Sequence, residues 1–78
     1  MKSITLSLNS IEKVKKFVNI IGRYDGDFDL SSGRYKVDAK SIMGIFSLDL
    51  SSPLKLDIHN DELAEEVIAE IQNYIEQQ

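Results

Sequence analysis

Four short segments of this chain alternate apolar and polar residues with a period of two. Three longer segments between and after them repeat apolar residues at helical spacing. Ile4, Leu6 and Leu8 alternate with Ser3, Thr5 and Ser7; Phe28 and Leu30 alternate with Asp27, Asp29 and Ser31. Tyr35, Val37 and Ala39 alternate with Arg34, Lys36 and Asp38, and Leu54, Leu56 and Ile58 with Lys55, Asp57 and His59. Side chains of a strand point alternately to its two faces, so each segment predicts a strand with one apolar side. Such strands need a single covering layer and leave the other sheet face in water.

The helical segments supply that layer. Asn9 and Ser10 offer an N-cap, Glu12 suits a first turn, and Ile11, Val14, Phe17, Val18 and Ile21 follow helical spacing up to a stop at Gly22. Lys13, Lys15 and Lys16 decorate the outer side of this helix. Near the end of the chain, Asn60 or Asp61 caps a helix whose stripe is Leu63, Val67, Ile68, Ile71, Tyr74 and Ile75, with Glu65, Glu66, Glu70 and Glu76 facing water. Ser31-Ser32-Gly33 reads as a hairpin turn, and the acidic and basic outward residues of its two strands are expected to pair across the exposed face. The order is strand–helix–strand–strand–helix–strand–helix, which predicts a two-layer α+β open-faced sandwich.

The middle helix is the unusual one. Lys40-Ser41 marks its start, with serine at the capping position, and Ser51-Ser52-Pro53 breaks the chain after an end expected between Leu48 and Leu50. Ile42, Met43, Ile45, Phe46 and Leu48 spread over more than half of its circumference. A surface helix normally buries one stripe. Ile42, Ile45 and Leu48 can form it, which leaves Met43 and Phe46 at the edge or outside, beside Ser41. A capping hydroxyl next to exposed apolar residues suggests a docking surface open to modification.

Composition removes several function classes. The 78 residues suit one small domain over 1–78 with a core that needs no metal or disulfide staple. With no cysteine, disulfides, thiol catalysis and cysteine-ligated metals are excluded. The formal net charge of −4 argues against general nucleic-acid binding, which rests on cations against phosphates. No stretch approaches the ~20 apolar residues of a membrane span, and no signal-peptide run stands at the start, so a cytoplasmic location is expected. Asp25, Asp27 and Asp29 recur with period two but lack the glycine pattern of a calcium loop, so no metal or other cofactor is expected.

The element order and the run Asp38-Ala39-Lys40-Ser41-Ile42-Met43-Gly44-Ile45-Phe46-Ser47-Leu48 resemble the HPr family, the small phosphocarrier proteins of the bacterial sugar phosphotransferase system, and most closely its Gram-positive type. The resemblance covers essentially the whole chain. It implies an antiparallel sheet of order 1-4-2-3 with three helices on one face. It also implies a phosphoryl relay through a histidine in a Gly-Leu-His-x-Arg-Pro-Ala motif, where the first strand leads into the first helix. Histidine suits that task because its ring nitrogen is nucleophilic near neutral pH.

Here the chain departs from the family. The matching stretch, Leu8 to Val18, holds no histidine, arginine, proline or glycine; aligned on Phe17-Val18, the histidine falls on Ser10 and the arginine on Glu12, with a loop about two residues shorter. A glutamate there repels a phosphoryl group. The relay is therefore expected to be absent, and the chain is not expected to be an enzyme. His59, the only histidine, stands at a strand end and reads as surface decoration.

Ser41 survives inside its motif. The resemblance implies that an ATP-dependent HPr kinase/phosphorylase modifies the matching serine, and a phosphate at a helix start meets free N–H groups, with Lys40 adding compensating charge. Ser41 alternatively serves only as a cap. Ile42, Met43 and Phe46, with Lys40, match positions that family members show to partner proteins, here the kinase or a transcriptional regulator. Three readings stay open: a histidine-less regulatory module, a phosphocarrier working through another residue, and a drifted relative binding an unrelated partner.

Overall fold

The structure, a computed structural model, describes residues 1–74. Four strands, β1 (Lys2–Leu6), β2 (Phe28–Ser32), β3 (Tyr35–Asp38) and β4 (Leu54–Ile58), form one sheet of order β1-β4-β2-β3. All its pairings are antiparallel. Helices α1 (Ile11–Ile21), α2 (Ile42–Phe46) and α3 (Asp61–Glu70) take the expected order, and a 3-10 turn (Gln72–Tyr74) comes after α3. Register sets which strand ends meet. Leu6 lies opposite Leu54 at one end of the sheet, while Lys2 and Phe28 both lie opposite Ile58 at the other.

The period-two pattern sorts the faces as expected. Leu6, Phe28, Leu30, Leu54, Leu56 and Ile58 are buried, and against them pack Val14, Phe17 and Ile21 of α1, Ile45 of α2, and Ala64 and Val67 of α3. Complete burial of a side chain such as Phe17 contributes about 1.5–3 kcal/mol. Leu8 lies beyond β1 yet is fully buried. The opposite sheet face carries Ser3, Thr5, Asp29, Ser31, Lys36, Asp38, Lys55 and Asp57.

Several expectations are corrected. Ile11, the first residue of α1, is 62% exposed, and Tyr35 is 75% exposed beside the hairpin tip. Ser31 and Ser32 belong to β2, and the turn is Gly33-Arg34 between the paired Ser32 and Tyr35. Gly33 takes φ +59, the glycine-first form of two-residue hairpin that matches strand twist. Gly22 ends α1 with φ −63, a right-handed cap whose N–H returns to Val18, not a left-handed one. The α2 helix stops at Phe46, capped by Ser47, and Leu48 is buried outside it. Ile42 is only partly buried. Of the two candidate caps of α3 the structure selects Asn60, as one of the expected alternatives, and it accepts the Glu62 amide at 3.0 Å. Tyr74 falls in the 3-10 turn, and Ile75 and Glu76 lie outside the described residues.

The expected opposite-charge pairing of the hairpin is also replaced. Asp29 stands opposite Asp38 on one side and Asp57 on the other, a row of like charges. Neighbouring groups compensate. Asp57, expected to face water, is 3% exposed; it accepts a hydrogen bond from the Ser3 hydroxyl at 2.6 Å, and the Lys36 and Lys55 ammonium groups each stand 3.8 Å away.

Candidate functional site

Two helices of the covering layer begin with a serine, and they are in contact with one another. At the start of α1, Ser10 is extended (φ −148, ψ 157) and its hydroxyl accepts the Lys13 amide at 3.2 Å. At the start of α2, Ser41 (φ −94, ψ 105) accepts the Gly44 amide at 3.1 Å, while its carbonyl takes the Ile45 amide at 3.0 Å. Both satisfy donors that a helix start otherwise leaves without partners. Glu12 lies in the first turn of α1, and the first turn of α2 has no acidic residue.

The α2 corner is built tightly on one side and openly on the other. A Cβ on Gly44 would stand 3.2 Å from both the Ser41 hydroxyl and Val37 Cβ, so glycine allows the short helix to sit against β3. Ile45 points into the core. On the outer side Ser41 is exposed, Met43 is 78% exposed and Phe46 41%.

Lys40 reaches back into the fold. Its ammonium donates to the Tyr24 carbonyl at 2.7 Å and stands 5.5 Å from the centre of the Phe28 ring, while its amide donates to the Asp38 carboxylate at 2.9 Å. The cation beside Ser41 is thus engaged by the α1–β2 loop. Sequence reading missed this, because nothing local to Lys40 points to a carbonyl sixteen residues earlier.

His59 lies far from the α1 start. It comes after Ile58, at the sheet end shared by Lys2 and Phe28, whereas Ser10 lies past the Leu6–Leu54 end. The five residues of β1 separate these ends by about 13 Å at ~3.3 Å per residue. The ring nitrogen Nε2 is 2.7 Å from the Asp29 carboxylate, and the His59 amide donates to the Asp27 carbonyl at 3.2 Å. His59 is a partnered side chain of the open sheet face.

Two groups carry shifted ionisation. Loss of solvation, then the Glu70 and Glu66 carboxylates of α3, raise the Tyr24 phenol above its ordinary value. The Ser51 hydroxyl and amide, donating to Asp49 at 2.6 and 3.1 Å, hold that carboxyl below the ordinary range. Among the described residues no group of three or more His, Cys, Asp or Glu is placed to hold a metal. No helix there is long and apolar enough to cross a membrane.

This architecture is shared with solved structures. HPr-C-His from Thermoanaerobacter tengcongensis superimposes with a TM-score of 0.79 at 29% identity, over 94% of this chain and 89% of that one. A phosphocarrier protein HPr from Bacillus anthracis str. Ames gives 0.71 at 27% identity, over 96% of this chain and 94% of that one. No curated protein matches the sequence significantly. The family model described as the PTS HPr component phosphorylation site matches residues 12–77, from the first turn of α1 onward. With that match over most of its length and the β1-β4-β2-β3 sheet under three helices, the chain belongs to the HPr family of the phosphotransferase system.

Proposed function

We propose that this HPr-family protein acts as a regulatory, protein-docking module rather than as a phosphohistidine carrier, with Ser41 as its point of modification. One observation carries the reading. The α1 start, where the family's relay chemistry is expected, holds Ser10 as a cap and Glu12 in the first turn, and the sole histidine is at the other end of the sheet against Asp29. A phosphoryl group at Ser10 lacks both the nucleophilic ring nitrogen and an arginine to hold it.

Ser41 offers a different opportunity. Its hydroxyl is exposed, no carboxylate shares its helix turn, and the backbone amides of α2 point toward it. Met43 and Phe46 alongside, with Ile42 partly buried, form an apolar rim that a protein partner such as the HPr kinase/phosphorylase or a transcriptional regulator can cover. The protein would act in the cytoplasm by docking, without turning over a substrate.

Two incubations test this. Phosphoenolpyruvate with enzyme I is expected to leave the intact mass unchanged; an acid-labile phosphoryl adduct would overturn the reading and favour a carrier working through another residue. ATP with an HPr kinase from a Gram-positive source is expected to add one phosphoryl group to the wild type and none to Ser41→Ala. Absence of that gain leaves Ser41 a cap and favours the drifted interaction module.

A further inference from the structure

We propose that Lys40 is a charge-operated latch on the α1–β2 loop, and that a phosphate on Ser41 opens it; this rests on Ser41 being the modified residue. The loop, residues 22–27, is held from two directions. From the β4–α3 corner, the His59 amide donates to the Asp27 carbonyl, and Asn60 packs against Gly26, whose φ of +101 makes the bend. From the β3–α2 corner, Lys40 reaches across, donating to the Tyr24 carbonyl and resting over Phe28. Tyr24 in turn is partly buried against the core, with Glu66 and Glu70 of α3 near its phenol.

The partners of this ammonium are a neutral carbonyl and an aromatic face. A phosphate on the adjacent residue carries a charge of about −1.5 to −2 at neutral pH and three acceptor oxygens. A charge-assisted bond to it is the stronger contact. The flexible four-carbon stem of lysine can turn toward it without moving the backbone. No carboxylate in the first turn of α2 opposes that move, and Asp38, two residues before Lys40, is engaged by the Lys40 amide. Once the ammonium turns, the Tyr24 carbonyl is left to water and the loop loses its hold on the β3–α2 corner, while the turn joining it to α1 and its contacts with His59 and Asn60 remain. A mark on α2 is thereby transmitted to the surface between α1 and α3.

Backbone and side-chain NMR of the full chain tests the latch with four samples: wild type, Lys40→Met, Ser41→Ala, and protein with phosphoserine installed at position 41 during translation, so that no kinase is needed. Lys40→Met is expected to shift the amide nitrogen of Asp25, which shares its peptide group with the Tyr24 carbonyl, and to speed His59 amide exchange severalfold. The phosphoserine protein is expected to move Asp25 to the same position and to remove the Phe28 ring-current shift from the Lys40 methylenes. Ser41→Ala should leave Asp25 where the wild type has it. An unmoved Asp25 in Lys40→Met, or in the phosphoserine protein while Gly44 shifts, overturns the proposal. Latch opening by installed phosphoserine, together with failure of the kinase to modify wild type, supports the latch and removes the kinase reading alone.

Discussion

At the start of α1 a serine accepts the amide three residues on, and at the start of α2 another serine does the same, within 0.1 Å of the same distance (3.2 against 3.1 Å). The helices behind these two caps differ. The α1 helix runs eleven residues and buries Val14, Phe17 and Ile21, so Ser10 tops an element held by its own stripe. The α2 helix runs five residues and buries Ile45 alone. Isolated helices shorter than ~12–15 residues are marginal in water, so α2 exists because its surroundings hold it. Gly44 fits against Val37, the Ser47 hydroxyl donates to the Gly44 carbonyl, and the Ser41 amide donates to the Asp38 carbonyl. Identical capping chemistry thus stabilises in one place and is open to adjustment in the other. A corner kept by external contacts responds when a charge changes those contacts.

Core truncation should separate the two regions most strongly. Phe17→Ala is expected to cost about 3–5 kcal/mol and Ile45→Ala about 2–5 kcal/mol, read from urea midpoints. Ile45→Ala should also release α2, so that the Gly44 amide exchanges freely in the folded state. Protection of Gly44 in that variant would show that α2 is not held by its single buried residue.

Removing the caps sharpens the comparison. Ser10→Ala is expected to lower global stability by about 1 kcal/mol, the usual value for a lost serine cap. Ser41→Ala should shift the global midpoint less while accelerating exchange at Gly44, because a short peripheral element opens locally before the domain unfolds. Equal global losses would break the distinction. A smaller effect tests the charge difference: Glu12→Gln should cost about 0.3–1 kcal/mol at low salt and less at high salt, as expected for a carboxylate at a helix start.

The smallest expected effect lies in the loop after α2. Asp49 is held ionised by Ser51, so its native midpoint lies below that of an ordinary aspartate, about 3.9. The stabilisation is present above that unfolded value and is lost as pH falls through the lower native one. Ser51→Ala should move the Asp49 midpoint upward in an NMR titration. Tyr24 has the opposite sign. Its raised native value favours the protonated folded state, so that contribution holds below the ordinary tyrosine value of about 10 and fades as pH rises through the native one. A Tyr24 midpoint at or below the ordinary value would remove the assigned influence of Glu66 and Glu70.

Much of this was legible in the chain. The alternation at Phe28 and Leu30, and at Leu54, Leu56 and Ile58, set strand existence and inward face, because a period of two has one reading when one side must be buried. Both serine caps could be read locally, since a cap bonds within three residues. Ile11 and Tyr35 fit the periodic pattern but are exposed, because they stand at element ends where no opposite layer covers them. Helical spacing carries on to Leu48 although α2 ends at Phe46, because Leu48 is buried from the chain beyond the helix.

By itself the sequence determined the order of elements, the α+β class, the serine at each helix start, and the absence of a histidine between Leu8 and Val18. Those properties rest on spacing and side-chain chemistry within a few residues. Only the tertiary structure decided the partners of the charged groups: Asp57 with Ser3, Lys36 and Lys55, His59 with Asp29, and Lys40 with the Tyr24 carbonyl. Nearly all of these join strands or loops distant in the chain. Electrostatic partners depend on distance in space, and sheet register and loop path set that distance.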